Sequence, residues 1–338
     1  MKILYISNHN PHFDNTNVFR EDAIKQLGHE LIFFEDRSFL FPGRLRDSCE
    51  FIRNIDLNFI GNKLIKTIKE NSPDVCLFVG GGAFKTQVFK DIQDLNVKSI
   101  LLTTDPLNSL YTEHISKNAF YFDHIFYSGT EAKTLLDKLG YYNSSWLPFA
   151  CSPNFHKPVL LNDEENKIYK KDIAFVGSYY KNREQVFESI ADLNLGIWGP
   201  SWSKVNKSSK LAVKAIDTRL NYTEWIKIYS AAKIVVVSHY NDGKTPCFQA
   251  SPKIFEALAC KSFLLVDKQK DVLDIFKDRK HLVFFEDPND LRQKILYYLD
   301  SDKERSFIAE NGYKEVLMSH TYKRRIEDLL KIIDTDQL

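Results

Sequence analysis

Short apolar runs punctuate this chain, and between them apolar positions recur at every third or fourth residue. The runs are Lys2–Ser7, Leu31–Glu35, Val75–Val79, Ser99–Thr103, His124–Ser128 and Ser144–Leu147 in the first half. Asp172–Val176, Leu195–Trp198, Ile234–Ser238, Phe263–Val266 and Leu282–Phe285 follow in the second. Most are apolar at consecutive positions, which predicts strands buried on both faces, as in a parallel sheet covered by helices. Two of them are entered alike, through Lys25-Gln26-Leu27-Gly28 and Asp137-Lys138-Leu139-Gly140, where a helix stops at a glycine and the chain turns into the next strand. Strict alternation of strand and helix predicts an α/β protein of doubly wound, Rossmann-like sheets.

The stretch Pro153–Lys171 breaks the pattern. It holds Pro153, Pro158 and the polar run Asn162-Asp163-Glu164-Glu165-Asn166-Lys167, and it predicts a linker. The expected division is a first domain over residues 1–160, a second over 170–320 and a final amphipathic helix within 321–338. Two such domains would face each other across a cleft, with ligands beyond the carboxyl ends of the strands.

Composition narrows the function classes. Lys+Arg 46 against Asp+Glu 45 leaves a net charge of +1, which implies no general attraction to nucleic acid or acidic membranes. The five cysteines, at 49, 76, 151, 247 and 260, form no C-x-x-C pair, so neither a disulfide framework nor a zinc site is expected. Met1-Lys2 runs directly into the first strand, so no signal peptide is expected, and no apolar run reaches membrane-spanning length. A cytoplasmic protein is expected, with peripheral membrane association through a partner or a lipid acceptor left open.

The chemistry concentrates in Ser251-Pro252-Lys253-Ile254-Phe255-Glu256-Ala257-Leu258-Ala259-Cys260. Ser251 suits an N-cap and Pro252 a first helical position. Lys253 and Glu256, three apart, share a face at the positive end of that helix. Free amides and Lys253 suit a phosphate, and Glu256 suits a pair of sugar hydroxyls; an exposed Lys–Glu pair on an ordinary amphipathic helix has the same spacing.

This helix, followed by Phe263-Leu264-Leu265-Val266-Asp267, resembles the nucleotide-binding signature of GT-B glycosyltransferases. It is most similar to the family-4-like branch that includes the CgeB spore-maturation proteins, over about residues 75–330. The resemblance implies that Glu256 holds the donor ribose and that the last helix crosses back onto the first domain. One departure stands at Lys261, where the family carries glycine.

Asp172-Ile173-Ala174-Phe175-Val176-Gly177-Ser178 leads through a polar turn to Arg183. It resembles the family's V-G-x-x-x-x-x-(K/R) loop, which implies that Gly177, Ser178 and Arg183 meet the donor diphosphate. Leu195-Gly196-Ile197-Trp198-Gly199-Pro200 resembles the strand and turn beside the donor base, which places Gly199 at the donor; Trp198 and Trp202 are either stacking partners for a base or core residues. The family's E-x7-E spacing is not kept, since Phe248 stands eight before Glu256, and Asp242 or Asn241 is the candidate substitute. In the first domain, Thr103-Thr104-Asp105-Pro106 resembles the branch's D-(D)-P element. Asp105 is the acceptor-side candidate there, with Gly81 of Gly80-Gly81-Gly82 and His9. His9 and His12 flank a proline turn without an obvious carboxylate pair.

Expected catalytic residues are therefore Asp105, Arg183 and Lys253. The donor site is Gly177, Ser178, Arg183, Gly199, Asp242, Ser251, Lys253 and Glu256; the acceptor side is His9, Gly81 and Asp105. No metal and no cofactor are expected: the nucleotide-sugar is a substrate, and the only D-x-D, Asp334-Thr335-Asp336, sits in the terminal tail. The expected reaction moves a sugar from a nucleotide-sugar to a hydroxyl of a glycan, a lipid-linked molecule or a protein; retention of configuration follows from the resemblance alone. The alternatives are a GT-B sugar-nucleotide epimerase, a non-catalytic structural or coat-associated protein of the same fold, and a two-domain binding protein.

Overall fold

The computed structural model describes residues 1–10 and 15–335. Two compact units are present. The first comprises Met1–His9, Arg20–Pro148 and Ile326–Leu338; the second comprises Asn10–Phe19 and Phe149–Arg325. His12 and Asp336 lie outside the described residues.

In the first unit six strands, β1 (Lys2–Ser7), β2 (Glu30–Glu35), β3 (Val75–Val79), β4 (Lys98–Thr103), β5 (His124–Tyr127) and β6 (Ser144–Trp146), form one sheet in the order β2-β1-β3-β4-β5-β6. Every pairing is parallel, as in Ile3↔Val75 and Leu77↔Ile100. The sheet packs against helices through Leu4, Ile60, Leu64, Phe78, Phe89, Leu101 and Ile115.

The second unit carries β7 (Ile173–Val176), β8 (Leu195–Gly199), β9 (Ala215–Asp217), β10 (Ile234–Val237), β11 (Leu264–Asp267) and β12 (Val283–Phe285). Their order is β12-β11-β10-β7-β8-β9, again all parallel. Chain direction across the sheet reverses between β7 and β10, and such a reversal opens a crevice at the carboxyl ends of the two strands. The equivalent reversal in the first sheet lies between β1 and β3.

Two expectations about organisation need correction. The stretch Pro153–Lys171 groups wholly with the second unit, whose long segment begins at Phe149 rather than near 170. Its polar run forms a helix, Asp163–Tyr169, started by a capping box in which the Asn162 side chain accepts from Glu165 N while Glu165 accepts from Asn162 N. No residue of that helix is buried, so periodicity could not reveal it. The strand β9 was also not anticipated; it is short, partly exposed and on the sheet edge. The last helix, Tyr322–Thr335, groups with the second unit up to Arg325 and with the first from Ile326. There Lys98 Nζ donates to the Ile333 carbonyl.

Candidate donor site in the second unit

The reversal between β7 and β10 brings together the loop after β7, the loop after β10 and the start of the helix Pro252–Ala259. Gly177 follows β7 directly, with its N–H on the Trp198 carbonyl at 2.8 Å. A Cβ on Gly199 would come within 2.1 Å of the Gly177 carbonyl oxygen, so these two backbones can approach only because Gly199 has no side chain. A Cβ on Gly177 would lie 3.1 Å from Lys253 Cε, which places the Lys253 stem directly against the loop. The Ser178 N–H has no acceptor among the described residues.

Arg183 is nearly buried, at 4% exposure, and it ties the two loops together. Its Nε and Nη2 donate to the Ser238 carbonyl at 3.0 and 2.7 Å, and Nη1 donates to the Ser178 carbonyl at 2.8 Å. The guanidinium lies 4.7 Å from the Tyr180 ring centroid and 5.3 Å from that of Phe175. Burial pulls it down to about 10, still fully charged at neutral pH. Of its five N–H groups, two have no partner among the described residues. Arg183 is thus first a strut between strand ends and only secondarily a donor to a ligand.

Lys253 and Glu256 differ from Arg183 in having no hydrogen-bond partner among the described residues. Glu256 is 6% exposed on a helix whose residues Ile254–Ala259 are all buried. Burial raises the Glu256 carboxyl, and the Lys253 charge opposes that. Burial lowers Lys253, with Arg183 adding to the effect and Glu256 countering it. An ionised side chain in such a place costs several kcal/mol unless something meets it. Two opposite charges offset part of that cost for each other, and their unused hydrogen-bonding capacity points at a polar ligand.

Ser251 occupies the N-cap position, yet its side chain makes no capping bond. Its N–H instead donates to His239 Nε2 at 3.2 Å. His239 is buried at the carboxyl end of β10, with Nδ1 2.5 Å from Asp267 Oδ1 and its own N–H 2.9 Å from Asp267 Oδ2. Since Nε2 accepts, the ring proton is on Nδ1 and is donated to Asp267. This pair fixes where the helix begins, and sequence reasoning missed it: His239 and Asp267 are 28 positions apart and meet only because β10 and β11 are neighbours.

The other expected donor residues are placed differently. Asp242 is exposed, and its carboxylate is consumed by its own loop: Oδ1 accepts from Lys244 N and Thr245 N, and Oδ2 from Tyr240 Oη and Thr245 Oγ1. These bonds hold it well below the usual carboxylate range. Trp198 and Trp202 are core residues, each 2% exposed, and Trp202 Nε1 donates to the Gly177 carbonyl at 2.8 Å. Lys261 adopts φ +61°, the left-handed conformation that favours glycine. Ser262 N donates to the Ala257 carbonyl and Lys261 N to that of Leu258, which is a Schellman ending and accounts for glycine in the family at this position.

In the first unit, the acceptor-side candidates sit at the carboxyl edge of the sheet. His9 follows β1, stacks on Phe33 at 4.0 Å and meets Glu21 Oε1 through Nε2 at 2.6 Å. Gly81 follows β3 with φ +70°, and a Cβ there would touch His114 Nε2 at 3.4 Å. Asp105 follows β4 and is exposed, yet partial loss of hydration raises its carboxyl while Arg37 and Arg20 pull it down. Asp36, unremarked in the sequence, is buried after β2 and pushed up to about 6 by burial. Among the described residues no three His, Cys, Asp or Glu side chains converge as a metal set.

Known proteins resemble this chain in sequence and in fold. Residues 182–331 match a family model described as "Glycosyl transferase-like". The spore protein CgeB of Bacillus subtilis (strain 168) is 23% identical over 236 residues, covering 66% of this chain and 71% of CgeB. Sucrose-phosphate synthase from Thermosynechococcus elongatus has the same fold, with a TM-score of 0.70 at 10% identity over 99% of both chains. Anabaena Alr3699/HepE, solved in complex with UDP-glucose, gives a TM-score of 0.70 at 9% identity over 99% of this chain and 100% of its own. The fold is GT-B, and the resemblance to CgeB and to glycosyltransferases first drawn from the helix at 251–260 holds.

Proposed function

We propose that the chain is a glycosyltransferase that takes its sugar from a nucleotide-sugar bound at the β7/β10 reversal. The observation that supports this best is the pair of half-buried Lys253 and buried Glu256, charges with no hydrogen-bond partner among the described residues, at the crevice where doubly wound sheets receive ligands. Glu256 takes the ribose hydroxyls. Lys253, the Ser178 N–H and the two spare N–H groups of Arg183 take the diphosphate. A helix N-terminus contributes about 0.3–2 kcal/mol towards an anion, too little for a departing diphosphate, so the cations supply the remainder.

The sugar C1–O bond to the diphosphate breaks as the acceptor hydroxyl oxygen bonds to C1. The acceptor proton passes to the leaving phosphate oxygen, so no carboxylate nucleophile is required and configuration is retained. Asp105, with Gly81 and His9, lies on the acceptor side, and the acceptor is a glycan, lipid-linked or protein hydroxyl. The charge already present at the leaving group makes a divalent metal unnecessary, and transfer should persist in EDTA; complete loss restored by manganese would overturn that part. Release of nucleotide from a panel beginning with UDP-glucose tests the whole reading. No binding and no hydrolysis of any nucleotide-sugar would count decisively against it.

A further inference from the structure

A cavity of about 630 Å³ opens at the amino ends of three strands of the first sheet. Lys98 begins β4, Asp123 immediately precedes β5 and Asn143 immediately precedes β6, and all three line it. Gly81 and Asp105 follow the carboxyl ends of β3 and β4, so the cavity lies at the opposite edge of the same parallel sheet. Its volume falls within the about 300–1,000 Å³ typical of small-molecule sites. It shares no residue with the donor or acceptor-side groups.

Local structure explains its walls. The helix Glu131–Leu139 stops at Gly140, φ +73°, and Tyr141 N closes on the Leu136 carbonyl at 3.0 Å. The turn buries Tyr141, whose hydroxyl donates to the Phe122 carbonyl at 2.8 Å, and leaves Tyr142 75% exposed. Phe120 is 60% exposed and meets Tyr141 edge to face, with 5.7 Å between ring centroids. Large aromatic rings open to water in one cavity mark a surface that receives a ligand. Polar groups with unused capacity stand beside them. The Asn143 amide makes no hydrogen bond among the described residues. Gln93 Nε2 donates once, to the Phe120 carbonyl at 3.4 Å, which leaves its carbonyl oxygen and second N–H available. Asp123 Oδ2 accepts from Ser99 N at 2.7 Å, while Oδ1 accepts from no described residue. Lys98, the one cation among the lining residues, is engaged with the Ile333 carbonyl.

We propose that this cavity binds a neutral saccharide. An open aromatic ring receives the apolar C–H face of a pyranose, whose polarised hydrogens meet the negative face of the π-system. Paired amide and carboxylate groups suit its hydroxyls, which both donate and accept. An anion is disfavoured by Asp123 and by the commitment of Lys98. A wholly apolar ligand would strip water from Gln93, Asp123 and Asn143 without replacing their hydrogen bonds. The site retains a glycan rather than transforming it, because it lies at the edge of the sheet away from Asp105. The inference does not rest on the donor reading, since neither a nucleotide nor a donor-side residue enters it.

Calorimetric titration of the full chain with neutral trisaccharides of glucose, galactose, mannose and N-acetylglucosamine, without nucleotide, tests the proposal. At least one should bind, with an affinity little changed by salt because the ligand carries no charge. Tyr142→Ala should weaken that binding at least about tenfold, through lost apolar contact. Asn143→Ala should weaken it by about two- to tenfold. Both variants should keep the parent melting curve, since both side chains are exposed. No binding of any trisaccharide, or full binding by both variants, would overturn the proposal. Displacement of the bound trisaccharide by UDP would also overturn it, by placing the sugar in the donor crevice, as would tighter binding of a sulfated than of a neutral trisaccharide.

Discussion

The setting of Glu256 was legible in the sequence because it is local, a helix start with a cation and a carboxylate one turn apart, while the donor role proposed for it came from the resemblance. The structure adds that the carboxylate is buried and unmet by any hydrogen-bond donor among the described residues. Glu256→Gln removes a charge-assisted acceptor worth about 1.5–3 kcal/mol. Nucleotide affinity should therefore drop by about ten- to a hundredfold, read by calorimetry. An unchanged affinity in a folded variant would remove Glu256 from the donor site. Arg183 was legible as a cation, but its ties to the Ser178 and Ser238 carbonyls were not, since they depend on β7 and β10 being adjacent. Asp36 shows the same limit. Its folded carboxyl titrates near about 6 against 3.8 when unfolded, so the folded state binds the proton more tightly. Its contribution is then favourable below the unfolded value and is lost as pH rises through the folded one. Asp36→Asn should stabilise the protein by about 1–3 kcal/mol at neutral pH and by almost nothing below pH ~4. Urea midpoints at the two pH values would show it, and an equal gain at both would refute the buried-carboxylate account.

At the scale of elements, strands buried on both faces announced themselves, whereas elements at the edge did not. Ala215–Asp217 pairs on one side only, and Asp163–Tyr169 has no buried face to give it a period. The helix Pro252–Ala259 was legible as an element, but neither of its ends was understood. At the C-terminal end, Lys261 holds a left-handed conformation that costs a side chain about 1–2 kcal/mol. It is offset by an ion pair with Glu310 at 2.6 Å, exposed and so worth about 0–1 kcal/mol. Lys261→Gly should thus be neutral or stabilising by up to about 1 kcal/mol, and a clear loss in thermal stability would show that the ion pair dominates. At the N-terminal end His239 supplies what the Ser251 side chain does not. His239→Phe leaves the Ser251 N–H and Asp267 Oδ1 without their partners, while the backbone N–H of residue 239 still meets Asp267 Oδ2, and should cost about 1–3 kcal/mol, with donor affinity falling as well. His239→Gln can offer an acceptor to Ser251 and should recover part of both; if Phe and Gln behave alike, the bond to Ser251 does not set the helix start.

For the molecule as a whole, the division into two units decides what ligand binding can stabilise. Each unit has its own hydrophobic core, one built around Leu4, Phe78 and Leu101, the other around Phe175, Ile197 and Leu265. Separate cores do not oblige a chain to unfold in one step. Every donor-side group argued for above, from Gly177 to Glu256, belongs to the second unit. Three of the four tryptophans, Trp198, Trp202 and Trp225, belong there too, and only Trp146 lies in the first. Tryptophan fluorescence therefore reports mainly on the unit that carries the proposed donor site, while far-ultraviolet circular dichroism reports on both. A ligand that binds only the folded form stabilises it by about 2.7 kcal/mol at a hundredfold excess over Kd. A nucleotide-sugar found to bind, at that excess, should move the fluorescence-detected urea transition to higher denaturant and leave part of the dichroism transition where it was. Equal movement of both signals would show that donor binding is felt across both cores. No movement of either would take the donor site away from the β7/β10 reversal altogether.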